Sequence, residues 1–258
     1  MLLLGTAVAG CALLDAWERE LVFRPVTEGW RGYSPQIVNE EELWIPVGGK
    51  GEKLHGWWLA APGAQYTLVY FHGARVNLTG SVYRLRGFRA AGFNVLAVDY
   101  RGFGRSSPGL PSEASVYEDA EAAWNWLDGR EPERARRILY GHSLGAPVAA
   151  EVALRGGGAA VLVLESAFTS VADLGPIRGL VTQRMDLLEK MARLSLPVLI
   201  VHGARDSVVP PQMAQRLYEA ARGPKRLLMV EDGGHSWVLR RAGGAVFDAV
   251  RELAAAHR

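Results

Sequence analysis

Cysteine is almost missing from this chain. A single one, Cys11, stands among 258 residues, so no intramolecular disulfide staples the fold and no cysteine cluster holds a metal. Lysine is scarce too: Lys50, Lys53, Lys190 and Lys225 are all there are, and arginine carries most of the positive charge, as in proteins from GC-rich bacterial genomes. The net charge is only +2, and no basic run interleaved with aromatics offers a footprint for nucleic acid. A Walker loop, a zinc-binding His-Glu-x-x-His motif and a dinucleotide fingerprint are all absent, so no cofactor and no metal is implied. Repeats and low-complexity tracts are missing, and no linker divides the chain. The apolar stretch 1–14 is too short to span a bilayer as a helix, which takes about 20 residues.

What is present is enough for one sizeable core: 49% of residues are hydrophobic and 22% charged. Segment 17–25 reads as a connector ending at Pro25. Two β-prone runs, 43–47 and 54–60, flank the Gly-rich turn 48–51 and predict an antiparallel sheet edge. Apolar strands at 67–71, 94–98, 137–140, 160–164, 197–201 and 226–230 follow. Helical patterns at 80–91, 112–127, 146–155, 185–193, 211–221 and 242–257 alternate with them. Continuous Val/Ile/Leu strands between helices predict an α/β fold, a mostly parallel sheet covered on both faces. Only 168–195 has room for a lid, and it holds a helix or two at most, which predicts an open site.

Gly141-His142-Ser143-Leu144-Gly145 lies between the fifth strand and the helix after it, the context of a nucleophile elbow. There a serine is held in strained backbone geometry with its hydroxyl clear of the sheet, and flanking glycines let strand and helix approach. Such a loose pattern also arises by chance; the strand-turn-helix setting argues against that. A serine hydroxyl needs a base, and the base an orienting acid. In an open parallel sheet those groups gather beyond the carboxyl ends of the strands. Asp206 follows the strand 197–201 and His235 the strand 226–230, giving the order Ser143, Asp206, His235. The bland readings are a turn aspartate and a loop histidine after two glycines. Glu165 and Asp232 are competing acids, while His142 and His202 read as packing beside strand ends.

Backbone N–H groups of Leu144, at the first turn of the helix, and Ala74, after the sharp turn at Gly73, are the expected oxyanion donors. His72 reads as a brace for that loop. Arg101 and Arg105, in the glycine-rich loop 99–106, read as solvated rim residues ahead of substrate ligands.

With these residues in place the chain resembles the α/β-hydrolase superfamily from Leu54 onward. It is similar in particular to membrane-associated serine hydrolases, which include eukaryotic protein depalmitoylases and bacterial envelope hydrolases. The shared marks are Leu21-Val22-Phe23-Arg24-Pro25, Tyr70-Phe71-His72-Gly73 and Asp99-Tyr100-Arg101-Gly102-Phe103-Gly104. Leu164-Glu165-Ser166-Ala167-Phe168-Thr169-Ser170, Leu188-Glu189-Lys190 and Gly233-Gly234-His235 complete them. Two departures stand out: Ala74 replaces an asparagine common in the family, and the segment before Leu188 is short. The resemblance implies an α/β-hydrolase fold and cleavage of esters, thioesters or lysophospholipids.

The sequence therefore predicts a serine carboxylic-ester hydrolase of short or medium acyl chains, acting on a small-molecule or lipid-like ester. Thioesterase, lysophospholipase and peptidase activities share the same triad, and a non-catalytic envelope binding protein could keep the same fold. Val8-Ala9-Gly10-Cys11 resembles the lipobox of bacterial lipoproteins, where the cysteine carries the lipid. On that resemblance residues 1–24 are an anchor or signal with its connector, 25–258 the hydrolase domain, and the protein sits lipid-anchored in the bacterial envelope. The alternative is a buried N-terminal helix with an inert cysteine, in the cytoplasm.

Overall fold

Short β-branched runs alternating with helices close into an open eight-stranded sheet in the computed structural model, which describes residues 2–29, 40–175 and 181–256. The strands are β1 (Glu41–Val47), β2 (Glu52–Leu59), β3 (Thr67–Phe71), β4 (Asn94–Val98), β5 (Arg137–His142), β6 (Val161–Glu165), β7 (Val198–Gly203) and β8 (Lys225–Val230). Their order is β1-β2-β4-β3-β5-β6-β7-β8. β1 pairs antiparallel with β2 and β2 with β4, while every pair from β4 to β8 is parallel. The expected antiparallel edge and parallel centre are both present.

Burial follows from this order. β1 alternates exposed and buried residues as an edge strand does, whereas β3, β5, β6 and β7 are buried at every position. Helices α3 (Glu113–Trp126), α4 (Gly145–Gly156), α5 (Leu187–Met191) and α6 (Gln212–Ala220) cover one face. Helices α2 (Leu78–Ala90) and α7 (Val238–Ala255) cover the other, with Phe88 packed on Tyr70 and Tyr140 and with Val246 and Val250 in the same apolar cluster. α2 starts two residues before the expected position because Asn77 caps it and the Asp99 carboxylate accepts the Leu78 N–H at 2.8 Å. α7 starts earlier than expected as well, and bends at Ala242.

The expected connector at 17–25 is helical instead. Helix α1 (Leu2–Phe23) runs through it to the fully buried Phe23. Charged residues of that segment are its long-range pins. Arg19 donates to the Pro111 carbonyl at 2.9 Å, and Glu18 accepts the Thr182 and Gln183 N–H groups at 2.7 and 2.8 Å. Its other side exposes Leu13, Leu14 and Trp17. The Cys11 side chain lies outside the described residues. Among those residues no helix is long and apolar enough to cross a membrane. The expected lid region contains a short 3-10 turn, Val171–Asp173, and α5; residues 176–180 lie outside the description.

Candidate active site

β5 ends at His142 and α4 begins at Gly145, so Ser143 and Leu144 alone make the turn. Ser143 adopts φ +53°, the left-handed region that a non-glycine residue enters at a cost of about 1–3 kcal/mol. Its neighbours must be glycine. A Cβ on Gly145 would lie 2.0 Å from the Phe71 carbonyl oxygen, and one on Gly141 would lie 2.2 Å from the Gly145 oxygen. The Ser143 N–H donates to the Glu165 carbonyl at 2.9 Å, the last tie between the ends of β5 and β6.

Three sequence-predicted residues meet here from three strand ends. Ser143 Oγ lies 3.0 Å from His235 Nε2, and His235 Nδ1 lies 2.8 Å from Asp206 Oδ2. The second carboxylate oxygen of Asp206 accepts the Val208 and Val209 N–H groups, both at 2.8 Å. Burial pushes the Asp206 carboxyl up, but the His235 hydrogen bond and these amides outweigh it and hold it below the ordinary aspartate value. The loops carrying Asp206 and His235 touch backbone to backbone: a Cβ on Gly203 would sit 2.3 Å from the Gly233 carbonyl oxygen. Arg205 N–H closes the same contact on Gly233 O at 3.0 Å.

The loop after β3 lies against Ser143. A Cβ on Gly73 would fall 3.3 Å from Ser143 Cβ, and His72 Nδ1 donates to the Gly73 carbonyl at 2.8 Å, bracing the turn as expected. No acceptor among the described residues takes the Ala74 or Leu144 N–H, which leaves both donors available.

His142 and His202 pack beside strand ends. Burial, then the nearby Arg84 charge, push the His142 imidazole down to about 3, and burial lowers His202 as well. Neutral His142 donates through Nε2 to the His235 carbonyl at 3.2 Å, and His202 donates to the Val209 carbonyl at 3.0 Å. The competing acids are engaged elsewhere. Glu165 is fully buried and turned toward Arg84, and exposed Asp232 pairs with Arg205 at 3.1 Å. Arg101 is not the solvated residue expected: it is largely buried and bonded to Asp119, Glu52 and Glu118. Arg105 pairs with Glu42 and stacks on Trp44. Among the described residues no group of three His, Cys, Asp or Glu side chains is placed to hold a metal.

Sequence reasoning did not single out Ser166 or Arg84. Ser166, at φ +52°, donates its hydroxyl to the His235 carbonyl at 2.9 Å, and Arg84 Nη2 reaches the Ser236 carbonyl at 3.4 Å. The first lay inside the Leu164–Ser170 run flagged above, while the second gave no signal.

Comparison with known proteins converges on one family. The model for the serine aminopeptidase S33 family matches residues 63–185 and 171–239. An uncharacterized protein of Mycobacterium tuberculosis is 40% identical over 170 residues, 63% of this chain, and the match spans 60% of that relative's length. Alpha/beta hydrolase domain-containing protein 17B of Homo sapiens is 33% identical over 213 residues, covering 79% of this chain and 72% of its own. Among solved structures, the Pyrococcus furiosus esterase Pf2001 superposes with a TM-score of 0.71 at 19% identity, over 90% of this chain and 97% of that one. With an open, mostly parallel sheet, a serine elbow and matches of this extent, the chain belongs to the α/β-hydrolase superfamily.

Proposed function

We propose that this protein is a serine hydrolase cleaving carboxylic esters of short or medium acyl chain through an acyl-enzyme. One observation carries the reading: the unbroken line from Ser143 Oγ to His235 at 3.0 Å and from His235 to Asp206 at 2.8 Å. In the first half-reaction Ser143 Oγ attacks the ester carbonyl carbon while His235 Nε2 takes its proton. Asp206 orients the ring and stabilises the imidazolium. The tetrahedral oxyanion draws on the Ala74 and Leu144 N–H groups. Collapse expels the alkoxide, which takes the proton back from His235, and water then repeats the sequence on the acyl-enzyme. The small lid segment supports short or medium acyl groups.

Esterase structures among the fold neighbours agree with this reading, while the family model's description favours a peptidase. An aminopeptidase needs a carboxylate open to the substrate's α-ammonium. The buried carboxylates at the strand ends are already engaged: Glu165 by Arg84, Asp206 by His235, and Asp99 by the Leu78 N–H. Thioesterase and lysophospholipase chemistry would use the same groups. Hydrolysis of a p-nitrophenyl ester ladder, beside Ser143→Ala, tests the proposal. Wild-type turnover that falls by about 10⁶-fold in the variant supports it. A folded wild type that neither turns over nor labels with a fluorophosphonate points to a binding protein instead.

Independently of the chemistry, we propose Cys11 as a lipid attachment site in a bacterial envelope, on the Val8-Ala9-Gly10-Cys11 pattern. Exposed Leu13, Leu14 and Trp17 beyond it support a position against lipid. Mass spectrometry of the membrane fraction decides: a lipidated N-terminal Cys11 supports anchoring, and an unprocessed Met1 overturns it.

A further inference from the structure

We propose that the buried Arg84–Glu165 pair is a positioning device for the reaction, setting the approach of His235 to Ser143 by holding the backbone on both sides of the gap. The inference rests on the serine hydrolase reading.

Glu165 has two separate attachments. Its carbonyl accepts the Ser143 N–H at 2.9 Å, so the strained elbow is hung from this residue. Its carboxylate takes Arg84 Nε at 3.2 Å and Nη2 at 3.0 Å, a forked contact, and the Tyr140 hydroxyl at 3.0 Å. Tyr140 belongs to β5, the strand that delivers the nucleophile. From this clamp the Arg84 guanidinium reaches the Ser236 carbonyl at 3.4 Å, one residue beyond the base.

The loop of His235 depends on such ties. The His235 carbonyl accepts from Ser166 Oγ at 2.9 Å and His142 Nε2 at 3.2 Å. Ser166 follows Glu165 and His142 precedes Ser143. Three donors therefore fix carbonyls 235 and 236, and each stands on Glu165, beside it or beside the nucleophile.

A stabilising role alone is a poor account. Removing two charges from water costs several kcal/mol per ion, and well-packed apolar replacements of buried ion pairs are often neutral or better. The Arg101 cluster marks the contrast: it ties together β2 and α3 through Glu52, Glu118 and Asp119 and touches none of the three reacting side chains. Glu165 and Arg84 touch the backbone of two loops that carry them. Burial favours the neutral acid, but the Arg84 charge together with the hydrogen bonds from Arg84 and Tyr140 holds the Glu165 carboxyl below the ordinary glutamate value, so the clamp persists at neutral pH.

Three variants of the full chain test the proposal. Arg84→Lys keeps the charge and loses the fork; Glu165→Gln keeps the shape and loses the charge; Arg84→Met with Glu165→Met fills the space without ions. Each is measured for melting temperature, kcat and KM on a p-nitrophenyl ester, fluorophosphonate labelling at Ser143, and the His235 ring resonances by NMR. The expected result is a fall in kcat and labelling rate of about 10- to 100-fold with KM within twofold, and shifted His235 resonances. The double variant should be as slow as the singles even where it melts like the wild type. A folded double variant, or Arg84→Lys if the double variant does not fold, with wild-type kcat and unshifted His235 resonances overturns the proposal. Wild type that neither turns over nor labels sinks the hydrolase reading alone. The His235 resonances then still decide the positioning role: shifted they support it, unshifted they overturn it.

Discussion

Two carboxylates follow neighbouring parallel strands, Glu165 at the end of β6 and Asp206 just past β7, and they end up with opposite assignments. Asp206 is gripped by two backbone amides on one oxygen and offers the other to an imidazole. Glu165 gives both oxygens to a guanidinium that comes from helix α2. The strand end supplies the location, and the partner supplies the role. A carboxylate that must accept a hydrogen bond from a histidine needs one oxygen free of cations. One that must hold backbone in place needs a rigid fork.

That contrast can be attacked from several sides. The largest expected effect is on Asp206→Asn: with the wrong imidazole tautomer held against Ser143, kcat falls by about 10³- to 10⁴-fold while the melting temperature changes little. Steady-state kinetics beside calorimetry checks this, and a variant within tenfold of wild type would hand the role to another acid.

Acid stability comes next. His142, His72 and His202 are buried and neutral, with folded values below the ordinary 6.5, down to about 3 for His142. The unfolded chain therefore binds more protons than the folded one between those values. The stability they contribute is complete above about 6.5 and is lost as pH falls; for His142 the loss runs at about 1.4 kcal/mol per pH unit from about 6.5 down towards 3. Urea midpoints measured from pH 7.5 down to 5 should decline accordingly; a flat profile would contradict the burial of these rings.

A smaller effect is expected from Ser166→Ala, which removes one neutral donor from the His235 carbonyl and should slow turnover about 2- to 10-fold. Smallest is Asp232→Asn, breaking a pair exposed on both sides. Stability should move by less than about 1 kcal/mol and kcat not at all. Loss of activity there would revive Asp232 as the acid.

Asp206 was readable because the chemistry leaves a signature along the chain: a glycine-flanked serine, then an acid and a histidine each a few residues beyond an apolar strand. Nothing comparable marks Arg84. It lies 81 residues before Glu165, on a helix where it shares the buried face with Ser81, Leu85 and Phe88, and that spacing names no partner: the ion pair is tertiary. Helix α1 fails for the same reason. Its charged residues find their partners far along the chain, in the carbonyls of 110 and 111 and the amides of 182 and 183. The antiparallel edge and the parallel centre of the sheet fared better, since apolar strands alternating with helices leave little choice of layer.

The contact between Gly203 and Gly233 carries a consequence for anyone redesigning this site. With no room for even a methyl group between them, the acid loop and the base loop form one cassette. A graft that imports a new histidine loop must bring its matching aspartate loop. Libraries that diversify either stretch alone will mostly sample misaligned proton relays, whereas random substitution is better spent on the rim at Val208 and Trp237, where side chains already face solvent.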